Sequence, residues 1–152
     1  MKKRNGFTLV EILIVVVILG ILAAIVIPQF SDASTEAKLS SLVSDLQTVR
    51  SQIQLYKIQH TDALPTAGGL TFAVAMTTYT NVDGTAAAVQ APGVGVYGPY
   101  LQQIPKNPFN DLSTVDTTGT AGDNVGGWEY NATTGAFNAD DNVTATPAHS
   151  TL

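Results

Sequence analysis

"KKRNGFTLVEILIVVVILGILAAIVIP", residues 2–28, decides how the rest of the chain is read. Lys2, Lys3 and Arg4 lead to a glycine, Gly6, and an apolar run then opens at Phe7 with one carboxylate in it, Glu11. Ile12 to Ile27 is sixteen residues without a charge or a strongly polar group. With Phe7 to Val10 added, the run reaches about twenty residues, enough for a helix across ~30 Å of hydrocarbon. A carboxylate in hydrocarbon costs several kcal/mol and tends to be kept for function. The three cations hold the N-terminus on the cytoplasmic side and send everything after Pro28 across the membrane.

Three readings of this segment compete. A secretory signal peptide has an apolar region of about 7–15 residues and a small-residue cleavage site after it; this run is longer, and "IVIPQFSD" is a poor site. A plain signal anchor fits the hydropathy but leaves Glu11 unexplained; the bland alternative for Glu11 is a first-turn residue at the bilayer interface, favoured by the helix dipole. The third reading cuts the chain after Gly6, so that the mature protein opens at Phe7 and keeps its apolar helix.

The third arrangement resembles the class III signal of type IV prepilins and type II secretion pseudopilins, with the likeness running through Gly6, Phe7, Glu11, Gly20 and Pro28. The resemblance implies that a prepilin peptidase cuts after Gly6 and N-methylates Phe7. It also implies that Glu11 faces the Phe7 amine of a neighbouring copy inside a helical filament. Two opposite charges in a dry bundle stabilise each other where either alone is costly. Gly20 costs about 1 kcal/mol within a helix, and Pro28 removes a backbone hydrogen bond. The resemblance implies that the stretch between these two weak points unwinds in some filaments.

Beyond the membrane segment, Leu39, Leu42, Leu46, Val49, Ile53 and Tyr56 recur at helical spacing, with Ser40, Ser44, Gln47, Ser51 and Gln54 on the opposite side. The stripe is short for a free coiled coil, so Leu42, Leu46, Val49, Ile53 and Tyr56 are expected to pack under a head. Thr61 and Asp62 are turn formers, and Pro65 biases Leu64 away from helix. His60 is expected to be an exposed helix-end residue. The Tyr-Lys pair, acidic turn and proline of this stretch are most similar to the long-helix end of the major pseudopilin of type II secretion.

The head, residues 61–152, is rich in Gly, Thr, Ala and Asn with frequent turn signals. "LTFAVAMTTYT" (70–80) suits a short helix or a strand. "VYGPYLQQIPKNPFND" (96–111) reads as a proline-stiffened loop anchored by Tyr97, Tyr100, Leu101 and Phe109, and also resembles a major-pseudopilin segment. In "GGWEYNATTGAFNADD" (126–141), Trp128 to Tyr130 and Ala136 to Asn138 form a hairpin, which is marginal alone and must lean on the helix. Residues 113–127 read as a mobile loop, and "NVTATPAHSTL" as a loose tail. The division is a leader (1–6), a transmembrane or filament-core helix (7–28), an amphipathic stalk (29–60) and the head. The fold class is α+β, a pilin fold with a long helix against a small antiparallel sheet.

The resemblance further implies calcium in a C-terminal loop. Calcium needs several oxygen ligands, and Asn138, Asp140, Asp141 and Asn142 are the local donors. The acidic, glycine-rich signature expected after the final strand is missing, however, so Asp140 and Asp141 read as a solvated turn and no cofactor is assigned. Two triplets, Asn131 to Thr133 and Asn142 to Thr144, match the glycosylation sequon, a pattern common by chance in such a composition.

Composition narrows the function. The 152 residues carry seven Lys/Arg, twelve Asp/Glu and no cysteine. Loss of the leader's three cations leaves four basic against twelve acidic residues, a charge of −8. That balance is poorly suited to nucleic acid, and the lack of thiols excludes disulfides and a cysteine nucleophile. His60 and His149 have no patterned nucleophile beside them, so no catalysis is expected. Three functions stay open: a pseudopilus subunit of type II secretion, a surface type IV pilin, or a membrane-anchored binding module. For the first, the resemblance implies further copies of the chain, prepilin peptidase, an inner-membrane assembly platform, a cytoplasmic ATPase and minor pseudopilins as partners. It also implies an inner-membrane position with the head in the periplasm.

Overall fold

The structure is a computed structural model that describes residues 6–87, 95–141 and 148–152. The leader cations Lys2, Lys3 and Arg4, the donor Asn142 and the second sequon lie outside the described residues. The fold is α+β. It divides into two compact units, one ending at Lys38 and the other running from Leu39 to Leu152.

The first helix, α1, spans Leu9–Gln59 and stays helical through both Gly20 and Pro28. Every described residue before Leu39 is exposed. An apolar surface on all sides suits lipid or a bundle of like helices and not water. By length and composition, this helix is able to cross a membrane.

At its other end α1 stops because Thr61 and Asp62 both take left-handed backbone angles, φ 53° and 68°. The Asp62 N–H then donates to the Lys57 carbonyl at 2.8 Å, which satisfies one of the carbonyls a helix end leaves free.

In the second unit, the α1 stripe is the floor of the core. Leu42, Leu46, Val49, Ile53 and Tyr56 are all 0–1 % exposed, while Ser40, Ser44, Gln47, Ser51 and Gln54 face solvent. Above the stripe lies α2, Phe72–Thr77, which contributes Phe72, Ala75 and Met76. The segment suited to either helix or strand is therefore a helix in its first half, and Thr71 caps it through its hydroxyl.

Five short strands complete the head. β1 (Thr80–Asn81) pairs antiparallel with β2 (Val96–Tyr97). β4 (Trp128–Tyr130) pairs antiparallel with β5 (Phe137–Ala139), with Tyr130 opposite Phe137. The second strand of the expected hairpin thus lies one residue later than Ala136 to Asn138. β3 (Val115–Asp116) adds to β4 in parallel, which makes this sheet mixed and not purely antiparallel. Phe72 lies 4.4 Å from Tyr130 between ring centroids, and Trp128 lies 5.2 Å from Phe137. Phe72 also stacks on Phe137 at 5.4 Å, so its two contacts pin the hairpin to α2, while the Trp128–Phe137 contact joins the hairpin's own strands.

The proline-stiffened segment is fastened at both ends. Tyr100 and Leu101 each donate a backbone N–H to the Met76 carbonyl at 2.9 Å. The Trp128 indole donates to the Pro105 carbonyl at 2.8 Å. Buried Asn107 donates to the Gly127 carbonyl and accepts from the Phe109 N–H, both at 2.9 Å. Gly127 is needed here because a Cβ at that position would run into the Leu112 carbonyl.

Three sequence expectations are corrected. Residues 113–127 contain β3 and hydrogen bond to buried groups, so they are not simply loop. The C-terminal residues are no loose tail where described: His149–Thr151 form a 3₁₀ turn, His149 is buried and Leu152 packs against the core. His60 is buried as well, since the helix end on which it sits lies beneath β1.

Leu46→Ala is expected to cost about 2–5 kcal/mol in urea unfolding of a soluble fragment starting at Gln29. Ile58→Ala, on the same helix but 78 % exposed, is expected to stay within about 0.5 kcal/mol.

Candidate functional site

Gly6 and Phe7, the residues of the expected cleavage site, are exposed and precede α1, Phe7 at 82 %. Immediately after them the chain builds a helix start from two side chains. The Thr8 N–H and the Thr8 hydroxyl both donate to Glu11 Oε2 at 2.8 Å, and the Glu11 N–H donates back to the Thr8 hydroxyl at 3.3 Å. Thr8 is therefore the N-cap and Glu11 the third helical residue of a capping box, each satisfying a backbone N–H the helix cannot bond itself. Thr8 was missed in the sequence reading, although Thr-x-x-Glu ahead of an apolar run is the signal for such a cap. In the single chain Glu11 thus has a local partner. Among the described residues its hydrogen bonds all fall on Oε2, so Oε1 is available to a further donor.

Gly20 and Pro28 sit within α1 with exposed neighbours. A Cβ added at Gly20 would meet nothing.

The head contains several buried polar groups. Arg50, on α1, donates from Nε to the Phe137 carbonyl at 2.9 Å, from Nη1 to the Leu152 carbonyl oxygen at 2.7 Å and from Nη2 to Asn138 Oδ1 at 3.0 Å. One guanidinium fork thereby ties helix, last strand and C-terminus together. His60 stacks on Tyr56 at 3.7 Å. Its Nδ1 lies 2.9 Å from the Tyr56 carbonyl, which can only accept, so Nδ1 carries the proton and Nε2 accepts from the Thr80 hydroxyl at 2.9 Å. Desolvation holds the His60 pKa below its ordinary 6.5.

Asp140 and Asp141 are buried, contrary to the solvated turn expected of them. Asp140 accepts four backbone N–H groups. Asp141 Oδ2 accepts from His149 Nδ1 at 2.7 Å, and the His149 ring lies 4.1 Å from that of Phe109. Among the described residues, no hydroxyl or thiol hydrogen bonds to this imidazole as an activated nucleophile would.

Among the expected calcium donors, Asn138 Oδ1 is occupied by Arg50, Asp140 by N–H donors and one Asp141 oxygen by His149. Only Asp141 Oδ1 is buried without a partner. Among the described donors, one unbonded oxygen falls far short of the about six to eight that calcium takes, so Asn138, Asp140 and Asp141 as placed do not fit the ion. Among the described residues, no group of three or more His, Asp or Glu converges so as to hold a metal.

Glu129, on β4, is 7 % exposed, and its Oε2 has no hydrogen-bond partner. Burial, reinforced by the carboxylates of Asp116, Asp140 and Asp123, pushes its pKa from the ordinary 4.5 to about 6.

Glycine, phenylalanine and a capped glutamate at the start of a long helix that is apolar and exposed in its first part, in a chain with an α+β head, define a pilin-like subunit. A family model for the prokaryotic N-terminal methylation motif matches residues 1–27. The chain is 33 % identical to the type II secretion system core protein G of Pseudomonas aeruginosa over 139 residues, 84 % of this chain and 97 % of the relative. It is 32 % identical to that of Vibrio cholerae over 152 residues, 93 % and 97 % of the two chains. The Escherichia coli protein of the same name is 30 % identical over 115 residues, 75 % and 73 %. No solved structure matches. The chain belongs to the family of type II secretion system core protein G, the pseudopilins.

The two shifted groups predict opposite pH responses. His60 is stabilising only when neutral, so its contribution is complete above about pH 6.5 and is lost as the pH falls below that value. Glu129 is tolerated when protonated, and its penalty grows as the pH rises from 4.5 to about 6. Glu129→Gln is therefore expected to stabilise the head by up to about 2 kcal/mol at pH 7.5 and by little at pH 4.5. Urea unfolding at the two pH values checks this, and an equal gain at both would show that charge is not the cause.

Proposed function

We propose that the chain is the structural subunit of a helical pseudopilus that works in type II protein secretion. The observation that carries this reading is the capped carboxylate Glu11 on an apolar helix segment exposed as far as Lys38, in a chain that matches the methylation motif and spans 97 % of a core protein G. A prepilin peptidase cuts after Gly6 and methylates Phe7. The new amine lies one residue before the cap, and the amine of a neighbouring copy meets the free Oε1 of Glu11. That pair fixes the stagger between subunits in a medium where either charge alone would be costly.

The helix is equally at ease in lipid and among its own kind. Moving it from one to the other therefore falls to an assembly platform and a cytoplasmic ATPase, with minor pseudopilins as companions. The basic leader supports an inner-membrane position with a cytoplasmic N-terminus and a periplasmic head. The head's buried polar groups mostly bond to backbone or to one another and carry no chemistry of their own, and its acidic surface does not favour nucleic acid.

N-terminal mass spectrometry of filament or membrane material is expected to find N-methylated Phe7, and Gly6→Val to leave uncut precursor. Glu11→Ala is expected to insert and be cleaved, yet to yield at least about tenfold fewer filaments when expressed with a working apparatus, as the loss of one charge pair worth ~1.4 kcal/mol or more per contact implies. Wild-type yield from that variant would remove the role given to Glu11. A wild-type chain that is processed but stays monomeric beside its cognate apparatus would favour a membrane-anchored binding module.

A further inference from the structure

We infer that the Asp140 carboxylate is the built-in counter-ion of the loop between β3 and β4, and that this head folds without a divalent cation at that place. The claim concerns the head alone and is independent of any filament the chain forms.

Asp140 is 0 % exposed. Its Oδ1 accepts the N–H groups of Gly122, Asp123 and Asn124 at 2.9, 3.0 and 3.2 Å, and its Oδ2 accepts that of Gly126 at 2.7 Å. The loop turns its amides inward because Gly122 and Asn124 take φ of 95° and 62°. Amides aligned by such alternating backbone form a concavity suited to an anion. A carboxylate has about four acceptor sites on its two oxygens, and here three donors crowd Oδ1 while a fourth, at the shortest distance, holds Oδ2. A cation in the same position would face the positive ends of four N–H dipoles.

The remaining polar groups of the loop point the same way. Asn110 Nδ2 donates to the Gly126 carbonyl at 2.9 Å and to Asn124 Oδ1 at 3.0 Å, so those oxygens are engaged as well. Asp116 Oδ1 accepts from the Thr118 N–H and hydroxyl, and Asp123 Oδ1 from the Val125 N–H. Each carboxylate closes its own stretch of turn. A loop of this length that returns to a parallel strand has no helix to hold it. A buried anion that gathers its amides does for it what a bound cation does for a loop of inward-facing oxygens.

The test uses the full chain in detergent micelles, with melting followed by the fluorescence of Trp128, two residues from Gly126. Excess EGTA and millimolar calcium are expected to give melting temperatures within about 1 °C of each other. Amide hydrogen exchange in EGTA is expected to find Gly122, Asp123, Asn124 and Gly126 protected. Asp140→Asn is expected to melt about 5 °C or more below wild type in both solutions, whereas Asp123→Asn, at an exposed position, stays close to wild type. A saturable rise of several degrees with calcium would overturn the inference, as would exchange at those four amides in EGTA that calcium suppresses. Should Asp140→Asn fail to fold, the exchange measurement on the wild-type chain decides the matter.

Discussion

One helix, α1, has to satisfy two environments with a single hydrogen-bonded backbone, and the rest of the molecule is a consequence of how it does so. Up to Lys38 its side chains are apolar on every side for most of their length and exposed. From Leu39 onward the apolar residues retreat to one stripe, and that stripe is the floor on which α2 and the β4–β5 hairpin assemble. Strands of two or three residues have too little ladder to stand alone. What holds them is aromatic packing against the stripe and a small set of buried polar bonds.

Those polar bonds share a design. Arg50 gathers the ends of β5 and the chain, His60 closes the helix end against β1, and Asp140 collects the amides of the β3–β4 loop. Each is a single group bonded largely to backbone, with Asn138 and Thr80 adding one side-chain partner each, which fixes a loop without adding apolar bulk. Glu129 is the exception, a buried carboxylate beside three others and with one oxygen unbonded. Its charge is disfavoured at neutral pH by burial and those neighbours, and among the described residues nothing hydrogen bonds to its Oε2.

The parts legible in the sequence were those governed by short-range periodicity. The apolar run, the stripe from Leu42 to Tyr56, the stop at Thr61 and Asp62, and the hairpin centred on Trp128 all follow from spacing and turn chemistry. The misread parts are those in which a polar residue finds its partner far along the chain. His60 meets Thr80, Arg50 meets Leu152, and Asp140 meets Gly122 to Gly126. Nothing local distinguishes a carboxylate that will face water from one that will face four amides. The parallel pairing of β3 with β4 was hidden for the same reason, since two residues of strand carry no alternation to read.

Glu11 unites the two halves of the account. In the single chain it caps its own helix through Thr8 with one oxygen and leaves the other available. In the proposed filament, that second oxygen is where a positive charge from another copy would arrive. The most direct measurement is the separation, in an assembled filament imaged at side-chain resolution, between each Glu11 carboxylate and the nearest Phe7 amine of another subunit. The account predicts a hydrogen-bonded contact of about 2.7–3.2 Å. A separation beyond about 6 Å throughout the filament, with Glu11 still bonded only to its own Thr8, would contradict it.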